Sequence, residues 1–310
     1  MIAGRTSNIV TPEEAILIKR IQELNAPMDP SPADITPRLE RLSGLRAILF
    51  DIYGTLLVSN AGAASDNNLA GRAVAFQSAL NALNCDINYQ TAVSGVNLFN
   101  EALASEHAAH QASGIEYPEA DIQTVWIKVL RELRRQSAIS QDITDKVAAR
   151  LAIEYENRIN PVWPMPDAEY VLSTLSAKGW LLGIVSNAQF YTTLTLTALL
   201  GEKWKTWFSP SLCFWSHEYN EAKPGQYLYR RAAAALLEFH AIRPQEVAMI
   251  GNDVEHDIKP ALDCGFRAIL FAGDRRACRL GTASRKNASS WPWLTMTNWQ
   301  QLMDITGPLL

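Results

Sequence analysis

Apolar residues fall into two kinds of run along this chain. Short unbroken runs recur as "AILF", "LLGIV", "LCFW", "VAMIG" and "RAILF", bounded by turn residues. Such runs predict strands buried on both faces, at roughly 46–51, 180–185, 211–215, 246–250 and 267–271. Between them the spacing changes to three or four, as in "DAEYVLSTLSAKG", "YTTLTLTALLG" and "PGQYLYRRAAAALLEFH", which predicts helices. Strands alternating with helices make a parallel sheet with helices on both faces, an α/β Rossmann-like architecture. The tail, with "WPWLTMTNWQQLMDITGPLL", adds a last strand and helix.

From about 59 to 161 the strand pattern is absent and the stripes are all helical. Leu69, Ala73, Phe76, Leu80 and Leu83 step by three or four behind the candidate cap Asp66. Ile122, Trp126, Val129 and Leu133 form a second stripe, and Ile143, Val147, Leu151 and Tyr155 a third. This predicts an insert of about four helices packed on one another, with Trp126 in its core. "NPVWPMP" at 160–166 ends it. Ahead of the first strand, "TPEEAILIKRIQEL" predicts a helix from a Thr cap, a Pro at its first position and Glu in its first turn. "NAPMDPSPADITPR", with four prolines in fourteen residues, is a linker or a clamped loop. The expected organisation is an N-terminal extension over 1–44, a core made of 45–58 and 162–310, and a helical domain over 59–161.

Length agrees with this division, since 310 residues exceed one ordinary core. A net charge of −4 gives no basic surface for nucleic acid or anionic lipid. No apolar run reaches the ~20 residues of a membrane helix, and the N-terminus has no apolar signal core, so a cytoplasmic protein is expected. Cys85, Cys213, Cys264 and Cys278 are scattered without a CxxC pair, as suits reduced thiols. His107 and His110 lack a third ligand and read as solvated helix residues, and Arg275, Arg276 and Arg279 as a solvated loop.

In open α/β sheets, ligands bind beyond the carboxyl ends of the strands. There this chain places Asp51, Ser186-Asn187 and Asn252-Asp253, with Lys223 in the loop after "LCFWS". A carboxylate can attack an electrophile, and paired acids can hold Mg²⁺ through oxygen. A lysine steadies developing negative charge, and hydroxyl and backbone N–H groups bind phosphate. The set suits phosphoryl transfer.

"DIYGTL", "VSN", "AKPGQYLY" and "IGNDVEHD" occur in the order and spacing of the haloacid dehalogenase (HAD) superfamily of hydrolases, which the chain resembles over about 45–58 and 162–272. The insert resembles that family's all-helical mobile cap. The resemblance implies Asp51 as nucleophile, Ser186 as a contact to the transferring group and Lys223 as its charge partner. Thr55 and Asn187, in the same motifs, are further candidates for phosphate contacts. It implies Mg²⁺ held by Asp51, Asp253 and the Tyr53 carbonyl, with Asn252 or Asp257 nearby. A small-molecule substrate follows, most simply a phosphate ester.

Two departures bear on the reaction. Family phosphatases carry an acid two places after the nucleophile, where this chain has Tyr53. Asp-x-Tyr-Gly-Thr is the form typical of 2-haloacid dehalogenases, which displace halide without a metal. Those enzymes lack the carboxylates of "GNDVEHD", in which Asn252 falls where many relatives place the first acid. A Mg²⁺-dependent phosphatase is therefore expected first, a metal-independent dehalogenase second, and a non-catalytic binding module third. Hinges are expected near 58–62 and 159–164.

Overall fold

The computed structural model describes residues 10–59, 68–281 and 291–307. Six parallel strands form one sheet: β1 (Ala47–Phe50), β4 (Leu181–Ser186), β5 (Cys213–Trp215), β6 (Val247–Gly251), β7 (Arg267–Phe271) and β8 (Leu294–Met296), in the order β5-β4-β1-β6-β7-β8. The apolar runs locate these strands to within two residues. Alternation within β1 explains why its run is unbroken. Ile48 and Phe50 pack on one face with Leu172, Leu182 and Trp299, whereas Ala47 and Leu49 pack on the other with Leu228, Ala232 and Leu236. A strand covered on both faces has no polar positions to show.

A second, two-stranded sheet pairs β2 (Leu57–Ser59) antiparallel with β3 (Val162–Pro164). It joins the two passages between sheet and insert. The insert comprises, among the described residues, α2 (Leu69–Asn81), α3 (Tyr89–Ala112), α4 (Ile122–Arg135) and α5 (Asp145–Ile159). The three stripes seen in the sequence fall on α2, α4 and α5. The 24-residue α3 carries no comparable stripe, because its buried positions are mostly small: Ala92, Gly95, Val96 and Phe99. Asp66 lies outside the described residues; the side chain capping α2 is Asn68, whose Oδ1 accepts from Gly71 N at 3.1 Å. Trp126 is 1% exposed and packs against Phe76, Phe99 and Tyr155, with ring centroids 4.5–5.5 Å away.

The N-terminal helix α1 (Pro12–Leu24) begins with the reciprocal Thr11–Glu14 cap that its sequence predicts. It packs against α5 and against α7 (Tyr191–Leu200), the helix after β4. The proline-rich stretch is a clamped loop: Ser31 O accepts from Arg275 N, and Asp29 O from Arg276. The layers flanking the sheet are completed by α6 (Ala168–Ala177), α8 (Tyr227–His240), α9 (Lys259–Asp263) and α10 (Gln301–Thr306). Among the described residues no helix is long and apolar enough to cross a membrane.

Candidate active site

Register brings the candidate residues together. Phe50 pairs with Ile184 on one side and Ile250 on the other, so Asp51, Ser186 and Asn252 all lie where adjacent strands end. Asp51 N still donates to Ile250 O at 2.9 Å, which fixes the residue as the last rung of the ladder. Its carboxylate is 8% exposed. Ser186 Oγ donates to Asp51 Oδ1 at 3.0 Å and Lys223 Nζ to the same oxygen at 2.6 Å. Among the described residues no side chain or amide donates to Oδ2. One oxygen is thus held from behind while the other stays free of protein donors among the described residues.

Lys223 also donates to Asp257 Oδ1 at 2.6 Å and to the Val185 carbonyl at 3.2 Å. Burial opposes its charge, but Asp257 and Asp51 outweigh burial and raise its pKa, so it stays an ammonium ion. Burial pushes Asp257 upward, Lys223 opposes this, and the charge of Asp51 adds to it. Two buried carboxylates therefore share one cation. The trio lacks one positive charge when both acids are ionised.

The "GNDVEHD" acids take two different places. A π-helical turn over Val254–Ile258 follows β6, and Asp253 caps it. Asp253 Oδ1 accepts from Glu255 N at 2.8 Å and His256 N at 3.0 Å, and Oδ2 lies 3.0 Å from His256 Nδ1. The wide turn swings Asp257 back over Gly251, where its carboxylate meets Lys223 and accepts from Asp253 N. So Asp257, rather than Asp253, makes the direct contact with the lysine of the site. A Cβ at Gly251 would run into Asp257. Gly251→Ala is accordingly expected to displace Asp257 and lower turnover at least about tenfold, because small misplacements at such sites are costly. Steady-state kinetics alongside a folded circular-dichroism spectrum checks this.

Thr55 and Asn187 have their polar groups engaged within the protein. Thr55 Oγ1 donates to Asn252 Oδ1 at 2.9 Å, and Asn252 Nδ2 donates to Ala277 O at 2.8 Å. The Asn187 amide spans the Lys223 backbone, donating to its carbonyl at 3.0 Å and accepting from its N–H at 2.7 Å. That pair of hydrogen bonds holds Lys223 in place. Gly54, at φ +82°, allows the close approach: a Cβ there would stand 2.7 Å from the Asn252 amide nitrogen.

Tyr53 aims its phenol at α7, where its oxygen lies 2.9 Å from Thr192 Oγ1. Burial raises its pKa, and the charges of Glu156 and Asp51 add to the shift, so the phenol stays neutral. Glu156, on the last turn of α5, is a residue that sequence reasoning missed. It accepts from Asn160 Nδ2 at 3.1 Å and from the Tyr191 hydroxyl. It keeps some accessible surface, yet burial pushes its carboxyl above the usual range. In sequence it sits beside Tyr155 in an ordinary amphipathic helix, and nothing there separates it from a solvated acid. Another missed residue is Glu119 of the insert. It accepts from Ser216 Oγ at 2.6 Å and Gln189 Nε2 at 2.9 Å, and burial raises its pKa. It fastens the insert to the strand-end loops.

His110 Nδ1 lies 3.1 Å from Glu119 O, in a local contact within the insert. Arg276 grips Asp274 with two nitrogens, at 2.7 and 3.0 Å. Among the described residues, no group of three or more His, Cys, Asp and Glu side chains is arranged to hold a metal. The oxygens that remain fit a hard cation held by few protein ligands, as Mg²⁺ often is. They are Asp51 Oδ2 and the Tyr53 carbonyl, which accepts no hydrogen bond among the described residues.

The chain belongs to the haloacid dehalogenase-like hydrolases, whose family match runs over residues 45–265. Among solved structures it is similar to 2-haloacid dehalogenase from Pseudomonas syringae pv. Tomato DC3000, at 16% identity and TM-score 0.54, over 83% of this chain and 96% of that one. It is also similar to a HAD phosphatase from Thermococcus onnurineus, at 19% identity and TM-score 0.50, over 85% of this chain and 99% of that one. At such identities the likeness speaks for the shared fold. Comparison with curated proteins yields no match.

Proposed function

We propose that the chain is a Mg²⁺-dependent phosphohydrolase of a small phosphate ester, with the helical insert as its cap. The observation that carries this reading is the shared lysine: Lys223 stands 2.6 Å from both Asp51 and Asp257, leaving the site one positive charge short. A site of net negative charge repels an anionic substrate until a cation joins it. Asp51 Oδ2 and the Tyr53 carbonyl would hold Mg²⁺, with Asp253 joining them only by releasing the Glu255 and His256 amides that it caps, and when bound the ion neutralises phosphoryl charge and orients the ester.

The protein's own groups perform the rest. Ser186 and Lys223 orient the Asp51 carboxylate, whose oxygen not given to the cation attacks phosphorus as the bond to the leaving oxygen breaks. An aspartyl-phosphate and an alcohol result. Lys223 offsets the negative charge on the nucleophile and the transferring group. Tyr53 is a poor proton donor to the leaving oxygen, since its pKa lies far above neutrality. Glu156, whose carboxyl burial pushes above the usual range, takes that role from the cap. Water then hydrolyses the aspartyl-phosphate, with Glu156 accepting its proton.

One feature favours a second reading. A neutral Tyr53 at the proton-donor position costs nothing if the leaving group is a halide, and a 2-haloacid dehalogenase needs no metal. A panel of phosphate esters and 2-haloacids, run with Mg²⁺ and with EDTA, separates the two. The expected result is phosphate release that EDTA removes and added Mg²⁺ restores. Halide release that persists in EDTA would transfer the assignment to the dehalogenase. Absence of any adduct on Asp51 across the panel would leave a binding module.

A further inference from the structure

The N-terminal helix lies outside the family-matched residues 45–265, yet it is built into the seam between insert and core. Ile21 is fully buried in the insert's apolar cluster. Arg20 forks onto Glu154 of α5, with Nε at 2.6 Å and a terminal nitrogen at 3.0 Å. Gln22 Nε2 donates to Ala198 O of α7 at 2.9 Å. The helix therefore grips both sides of the seam.

Asn25, just past the helix end and 7% exposed, makes the central contact. Its Nδ2 donates to Ile21 O at 2.8 Å and to Asn157 Oδ1 at 2.6 Å. Its Oδ1 accepts from Val162 N at 2.8 Å. One amide thus ties α1 to the last turn of α5 and to the first residue of β3. That is the passage by which the chain leaves the insert. The opposite passage is tied across by Ser59 Oγ donating to Asn160 Oδ1 at 2.9 Å. Glu156 lies between these anchors, next to Asn157 and bonded to Asn160.

We propose that Asn25 is a positioning residue for catalysis, fixing the return passage at 157–162 so that Glu156 is held in its contacts with Asn160 and Tyr191. The inference rests on the phosphohydrolase reading for its kinetic part. Its structural part, a passage clamped by the N-terminal extension, stands apart from any activity. The extension is then a working piece of the enzyme, and the cap opens only against its hydrogen bonds.

Asn25→Ala removes the amide's three side-chain bonds. Amide exchange over 159–163 is expected to rise about tenfold, the size of one net hydrogen bond. Hydrolysis of ethyl phosphate is expected to fall about tenfold relative to that of 4-nitrophenyl phosphate, because a displaced donor matters only for the poorer leaving group. Gln22→Ala, which loosens α1 on α7 without touching Asn25, should leave that ratio unchanged. If Asn25→Ala does not fold, Asn157→Ala breaks the same bond from the other side and carries the test. Unchanged exchange at 159–163, or an equal loss on both esters, overturns the proposal. A wild-type protein inactive on both esters would instead overturn the phosphohydrolase reading, and exchange would still decide the clamp.

Discussion

Asp51→Asn is expected to abolish turnover, by on the order of 10⁴-fold or more as nucleophile removals do, while leaving the fold as stable as before. The second half follows from the charge count. With Asp51 neutral, Lys223 and Asp257 form a balanced buried pair, and the excess negative charge is gone. Lys223→Met should do the opposite. It leaves two carboxylates buried with no cation, and breaking such a pair costs about 3–5 kcal/mol. Against a total stability of roughly 5–15 kcal/mol, that is a large part of the fold. The loss should shrink as pH falls. Without the ammonium the folded-state pKa of Asp257 rises further above its unfolded value, so the folded state binds more protons and gains stability on acidification. Thermal denaturation of both variants between pH 5 and 8 checks the pair of expectations. Equal destabilisation by Asp51→Asn and Lys223→Met would mean that the charges are not shared as the distances indicate.

The sheet was legible in the sequence because strands buried on both faces leave unbroken apolar runs, and Asp51, Ser186 and Asn252 close three of them. Position at a strand end is a local property, so one chain suffices to find it. The partition of the "GNDVEHD" acids was not legible. It depends on the π turn at Val254–Ile258, which gives Asp253 to backbone amides and brings Asp257 round to Lys223. A one-residue change of helical phase decides which acid faces the site, and spacing alone carries no such phase. The side chains of Thr55 and Asn187 bond Asn252 and the Lys223 backbone, partners that come from segments far along the chain. Glu156 and Asn25 were invisible for the same reason. Each sits in a locally ordinary context, and only contacts between distant segments, Glu156 with Tyr191 and α1 with α5 and α7, set it apart.

Glu156→Gln is expected to lower hydrolysis of an alkyl phosphate by about 10²-fold, the lower end of what a general acid contributes, and that of an aryl phosphate far less. The alkoxide needs a proton to leave and the nitrophenolate does not. Tyr53→Asp should act in the reverse direction, raising alkyl phosphate hydrolysis by installing a carboxylic acid beside the nucleophile, and it should rescue Glu156→Gln when the two are combined. The pH profile separates proton donation from packing. A donor must be protonated, so wild-type alkyl phosphate hydrolysis should decline as pH rises through the elevated pKa of Glu156, and Glu156→Gln should lack that limb. Stability falls with rising pH as activity does, but the substitution affects the two in opposite senses. Because burial raises the folded-state pKa of Glu156, the native state binds more protons than the unfolded chain between the two pKa values, and its stability falls as pH rises through that window. The glutamine variant escapes this cost, so at pH 8 it should be less active and more stable than the wild type. A variant that loses activity equally on both esters, or loses stability at pH 8, would show that Glu156 holds the cap together through Tyr191 and Asn160 and supplies no proton.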